Sequence, residues 1–159
     1  MGWIVHRHGA IYAQEYGWDE RMGALVARIT ADFIDQYDPR SERCWIAERD
    51  GEFLGCVFLV KDRGMKDRAL VKGADASTAK LRLLLVEPTA RGFGVGRTLV
   101  RQCTLFARGC GYSRIVLWTN SVLSSARRIY EHEGYRLVQE EEHESFGKKL
   151  VGQNWELRL

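Results

Sequence analysis

The sequence predicts an α+β (mixed α/β) fold of about seven strands and four helices, organised as one domain over residues 1–159. Three observations carry this. Two apolar runs, Cys44 to Glu48 and Phe53 to Lys61, flank Arg49-Asp50-Gly51-Glu52, and Asp-Gly between such runs signals an antiparallel hairpin. A second unit runs from the apolar stretch Lys80 to Val86 through a glycine-rich turn into an amphipathic helix and a further strand. A chain of this length also buries about 70% of its unfolded surface, which supports a core without metal or disulfide staples.

The elements follow in order. Trp3 to Val5 reads as a short strand and His8 to Tyr16 as a short helix stopped by Gly17. Asp19 offers an N-cap to a helix with Met22, Val26, Ile29 and Phe33 on one face, ending near Asp38-Pro39. After the hairpin, Asp62 to Thr78 is polar and glycine-containing, a loop. The strand Lys80 to Val86 closes at Pro88. A helix from Val95 to about Arg108 carries Leu99, Cys103, Phe106 and Cys110 on one side and stops at Gly109 to Gly111. Arg114 to Thr119 is a strand and Leu123 to His132 a helix. Two strands, near Tyr135 to Glu141 and Val151 to Leu159, complete the chain.

Composition excludes several classes. With 45% hydrophobic and 28% charged residues and only two prolines, the chain is neither disordered nor fibrous. Its longest apolar run, Phe53 to Val60, is eight residues, whereas a membrane span needs about 20. Met1-Gly2-Trp3 leads into polar sequence without the apolar stretch of a signal peptide, so a cytoplasmic location is expected. The four cysteines form no C-x-x-C pair and read as free thiols. The four histidines lack ligand spacing, so they read as surface residues and no metal is expected.

Net charge is only +3, but it is unevenly placed. Between Pro88 and Tyr130 there are seven arginines and no acid, so this stretch is +7 and the rest of the chain is −4. Inside it lies Val86-Glu87-Pro88-Thr89-Ala90-Arg91-Gly92-Phe93-Gly94-Val95-Gly96-Arg97. Glycines let successive N–H groups approach one anion, and a helix N-terminus adds about half a positive charge. A diphosphate ligand suits such a bend; a plain packing turn between strand and helix suits the glycines equally. A Walker loop is excluded because no glycine here is followed by Lys-Ser/Thr. A dinucleotide fingerprint is excluded because the glycines are Gly92, Gly94 and Gly96, with no acid before Glu131.

These residues resemble the GNAT superfamily of N-acetyltransferases. Arg91 to Gly96 matches [QR]-x-x-G-x-[GA], Val86 to Gly92 matches V-x-P-x-x-R-G, and Ala126, Tyr130, Gly134 and Tyr135 match A-x-x-x-Y-x-x-x-G-[FY]. The resemblance implies a mixed, mostly antiparallel sheet splayed between the strands ending at Val86 and Thr119, with acetyl-CoA in the gap. It implies that the pantetheine arm pairs with Leu84, Leu85 and Val86, that the diphosphate rests on Arg91, Gly92, Phe93, Gly94, Val95, Gly96 and Arg97, and that Tyr130 protonates the departing thiolate. Asn120 stands near the position of the family's asparagine, where the matching residue is Leu123, and is a cofactor-binding candidate. An amine must lose a proton before attack, and Glu87 is one candidate base. Glu15, Tyr16 and Trp18, with Tyr12, are candidates for the acceptor site.

The chain ends resemble the acetyltransferase half of bacterial MarR–GNAT fusions, through His6-Arg7-His8-Gly9-Ala10, Tyr16-Gly17-Trp18, Leu117-Trp118-Thr119-Asn120-Ser121 and Ser145-Phe146-Gly147. The expected partner is a small-molecule or peptide amine. No DNA-recognition pattern is visible, so neither nucleic acid nor membrane binding is expected, and a homodimer is left open. An acetyl-CoA sensor without turnover is the alternative function.

Overall fold

The computed structural model describes residues 1–64 and 77–159. Two helices open the chain, α1 (Gly2–Tyr16) and α2 (Arg21–Gln36). Trp3 to Val5 is therefore helical, not a strand. Three apolar residues are too few to set a period, and the stripe that decides is Ile4, His8 and Ile11, spaced one and two turns apart and buried. Trp3 faces outward, its ring edge-on to Phe53. In α2 the buried stripe is Met22, Val26, Ile29 and Thr30. Glu20 rather than Asp19 occupies the N-cap position, while the Asp19 carboxylate accepts the Arg21 amide at 3.1 Å.

The sheet is built from β1 (Arg43–Arg49), β2 (Glu52–Lys61), β3 (Thr78–Val86), β4 (Arg114–Asn120), β5 (Arg136–Ser145) and β6 (Lys148–Arg158). A single turn of 3₁₀ helix at Pro88–Ala90 leads from β3 to α3 (Val95–Gly109), and α4 (Ser124–His132) follows β4. Six strands are thus present among the described residues where about seven were expected, the difference being the helical N-terminus. Their order is β1-β2-β3-β4-β6-β5. Every neighbouring pair is antiparallel except β3 and β4, which the crossover through α3 makes parallel.

Helices cover both faces of the sheet's middle. On one side α1 and α2 pack Ile4, Ile11, Met22 and Val26 against Cys56, Phe58 and Leu85. On the other, α3 packs Leu99, Val100, Cys103 and Ala107 against Val57, Leu59, Leu81, Ile115 and Leu117. This explains why Cys56 to Leu59 are all buried, an unbroken apolar run in place of alternation. No described helix is long and apolar enough to cross a membrane. Among the cysteines, Cys56 and Cys103 are buried, Cys44 and Cys110 are half-buried, and all four are free thiols.

One irregularity shapes everything that follows. β3 and β4 pair only from Thr78–Arg114 to Leu81–Leu117. Just beyond, the β2–β3 register shifts between Cys56–Leu85 and Phe58–Arg82, so Leu83 and Leu84 together oppose Val57. Leu83 takes a left-handed φ of 53°, a conformation that costs a side-chain-bearing residue about 1–2 kcal/mol. Past this bulge β3 stays with β2 and β4 stays with β6, and the sheet parts between them.

Candidate active site

The gap opens into a cavity of about 730 Å³ bounded by α1, α2, β3, β4, β6 and the ends of α4 and β5. A strand hydrogen-bonded on one side only directs its remaining N–H and C=O groups outward, so beyond Leu81 the β4-facing edge of β3 is left without a strand partner. Leu84 lines the cavity, whereas Leu85 turns its side chain into the core.

Tyr130 reaches the cavity from α4 and is only 4% exposed. Tyr135 and Trp155 hold its ring, at centroid distances of 5.7 and 6.4 Å. Burial, and then the neighbouring Tyr12 and Cys103, push its phenol well above the usual range. Its hydroxyl therefore stays protonated at any working pH. Asn120, at the end of β4, also lines the cavity; its Oδ1 accepts from His143 Nε2 at 2.8 Å, and His143 Nδ1 meets Ser145 Oγ at 3.0 Å. Leu123 also lines the cavity, beside Asn120.

Of the acceptor-site candidates, Trp18 lines the cavity, stacked between Tyr12 at 4.9 Å and Phe146 at 5.0 Å. Tyr12 lines it too, but Tyr16 sits behind them, packed on both rings. Glu15 points elsewhere, to Arg91 at 2.8 Å. The sequence reading missed His8, which is not at the surface but 1% exposed, and which lines the cavity. Its Nδ1 donates to the Ile4 carbonyl at 2.8 Å, which leaves Nε2 as a lone pair without a partner among the described residues. Burial pushes its pKa down to about 4, so the ring is a neutral acceptor. The Ile4-His8-Ile11 stripe was the available signal.

Glu87 is not in this cavity. Its carboxylate is taken by Arg7, with Nε at 2.6 Å and Nη2 at 2.7 Å, and it lines a separate depression with Trp3, Ile46 and Phe53. Both oxygens accept charge-assisted bonds, an arrangement that fastens α1 to the end of β3.

Gly92 and Gly94 have φ of 83° and 78°, and a Cβ on either would meet nothing within 4 Å. The backbone of the bend is therefore open to a ligand at the N-terminus of α3, where the first-turn amides lack helical partners. Phe93 stands out at 78% exposed, and Val95 packs inward on the core. Gly96 differs: a Cβ there would lie 2.8 Å from Ile129 Cδ1 and 3.1 Å from Val86 Cγ2, so it lets α3 sit close to β3 and α4. Arg91 and Arg97 are not free cations, being paired with Glu15 at 2.8 Å and Glu133 at 2.7 Å. An unpaired strand edge, an open amide bend and a protonated tyrosine in the cavity fit a long ligand with a diphosphate at one end and a reactive group at the other.

Comparison with known proteins places the sequence and the fold. The chain is 32% identical to a mycothiol acetyltransferase of Beutenbergia cavernae over 136 residues, 82% of this chain, and spans less than half of that protein, 44%. It is 29% identical to an uncharacterized N-acetyltransferase of Escherichia coli over 78% of this chain and 70% of the relative. Its fold matches a ribosomal-protein-alanine N-acetyltransferase from Brucella melitensis with a TM-score of 0.72 at 16% identity, covering 99% of this chain and 93% of the other. Residues 10–135 match the acetyltransferase (GNAT) family, and with that match over most of its length the chain belongs to this family.

Proposed function

We propose that this chain transfers an acetyl group from acetyl-CoA to a primary amine by direct attack. The observation that carries the reading is the parting of β3 from β4 at the Leu83 bulge, with Tyr130 and Asn120 both delivered to the resulting cavity. Bound acetyl-CoA supplies an activated acetyl thioester. The backbone edge at Leu84 to Val86 would hold its extended arm, and the Gly92 to Gly96 bend its diphosphate. Tyr130 holds a proton at its hydroxyl for a leaving thiolate. A thiol titrates near 8.5, so a positioned phenol assists its exit without a stronger acid. His8 is a neutral ring in the wall of this cavity, and Trp18 and Tyr12 exclude water from it. Glu87, locked to Arg7, is better suited to positioning α1 than to taking a proton.

The test has two parts. Calorimetry should detect CoA binding, and thiol release with a panel of amines should show turnover. Tyr130→Phe should lower kcat by about 10²–10⁴-fold while CoA affinity stays the same. Binding without release for every amine would favour the sensor reading, in which the chain reports acetyl-CoA to a fused MarR-type regulator. That reading rests only on the sequence resemblance of the chain ends.

A further inference from the structure

The acceptor end of the cavity carries charges that acetyl transfer alone does not use. Lys80 and Arg82 project from β3 on the same face, two residues apart and ahead of the bulge, and both line the cavity. Each is half-buried. Neither has a carboxylate within ion-pair distance or a side-chain hydrogen bond among the described residues, whereas Arg114 on the neighbouring strand is paired with Glu156. The adjoining wall from α2 adds Arg28, exposed at the rim and likewise without a partner. Across the cavity, β5 brings Glu141 and Glu144.

Two neighbouring cations held partly out of water and away from a counter-ion are a standing cost to the fold. Burial and then the charge of Arg82 lower the Lys80 pKa, and burial lowers that of Arg82, with Asp32 and Asp62 acting only as more distant carboxylates. A ligand anion relieves that cost. A guanidinium fork beside an ammonium matches a carboxylate in geometry as well as charge. On the proposed reading the diphosphate end of the cofactor would lie at the opposite end of β3, at the glycine bend, which leaves these cations facing the acceptor.

We propose that Arg82 and Lys80 form a subsite for a carboxylate on the acceptor, so that the preferred substrate is a free amino acid or similar anionic amine. The strand rises about 3.3 Å per residue, which puts Arg82 about 7 Å and Lys80 about 13 Å from Leu84 at the parted edge. The Arg82 distance suits a molecule whose amine and carboxylate are separated by a few bonds, and the Lys80 distance a longer one. Glu141 and Glu144 on the far wall favour the same zwitterion over a simple dianion.

This inference rests on the acetyltransferase reading, and its test separates the two. Thiol release is measured for amino acids and their carboxamides with wild type, Arg82→Gln, Lys80→Gln and Arg82→Lys. Wild type should favour acids over amides by at least tenfold in kcat/KM. Arg82→Gln should collapse that ratio, mainly by raising the acid's KM, Lys80→Gln should reduce it, and Arg82→Lys should retain part of it. A wild-type ratio within threefold of unity, or one unmoved by Arg82→Gln, overturns the subsite. If CoA binds but no amine reacts, the transfer reading fails, and calorimetry of N-acetyl amino acids against the CoA complex still decides. Heat that Arg82→Gln abolishes upholds the subsite; no heat, or equal heat in both proteins, overturns it.

Discussion

Replacing Glu87 with Gln separates a proton acceptor from a fastener. The side chain is 10% exposed and Arg7 is 26% exposed, joined by two bonds of 2.6 and 2.7 Å. Breaking a fully buried ion pair costs about 3–5 kcal/mol, whereas exposed pairs are worth about 0–1. With one partner a quarter in water and the neutral amide still able to accept one bond, the expected loss is about 2 kcal/mol. For a chain of this size that lowers the melting temperature by about 4–8 °C. The assays are thermal unfolding followed by circular dichroism, and thiol release from pH 6 to 10. If Glu87 fastens α1 to β3, the melt falls and the pH profile of kcat keeps its shape. An unchanged melt together with a loss of about 10²-fold or more in kcat, the signature of a missing proton acceptor, would refute the reasoning. A double substitution with Arg7→Met should then cost less than the two single changes combined, because the pair acts as a unit.

Gly96→Ala places a methyl group 2.8 Å from Ile129, an overpacking cost of about 1–3 kcal/mol against a helix-propensity gain of about 1, so a lower urea midpoint is expected. Gly92→Ala meets no atom, but its φ of 83° costs an alanine about 1–2 kcal/mol, and it should weaken CoA binding in calorimetry more than Gly96→Ala does. His8 has a folded pKa of about 4 against about 6.5 unfolded, so the unfolded chain takes up a proton first as pH falls. Stability is therefore lost between pH 6.5 and 4, by about 2–3 kcal/mol at pH 4.5, and His8→Phe should remove that part of the slope in denaturant titrations at pH 7 and 4.5.

The features legible in the sequence are those whose cause is local. The Asp50-Gly51 turn, the apolar run of β2 and the strand–bend–helix unit around Gly94 each follow from residues within one turn of one another, and the structure has them where the pattern put them. The misread elements had competing local signals. Trp3-Ile4-Val5 looks like a strand until Ile4, His8 and Ile11 are placed on one helix face. Long-range pairings left no trace: Arg7 and Glu87 are 80 positions apart, and nothing near Glu87 announces that its carboxylate is already taken. The bulge at Leu83 was equally hidden. A leucine is an unlikely residue for positive φ, and only the mismatch of β2 and β3 registers imposes it.

The basic stretch shows how a sequence charge and a site charge differ. Of its seven arginines, Arg91, Arg97, Arg101 and Arg114 are met by Glu15, Glu133 and Glu156 from outside the stretch, so much of its +7 is already answered in the fold. These pairs can still yield to a diphosphate. Arg91 and Arg97 are 43% and 47% exposed, and pairs that open to water are worth about 0–1 kcal/mol, less than a bidentate phosphate contact returns. Arg97 is the easier to release. Its partner Glu133 also has Arg101 at 3.9 Å, so the carboxylate keeps a cation when Arg97 swings away. Glu15 has no second cation among the described residues, so recruiting Arg91 strands its charge. The exchange makes cofactor affinity a difference between two electrostatic arrangements, so its salt dependence should be shallower than seven arginines imply.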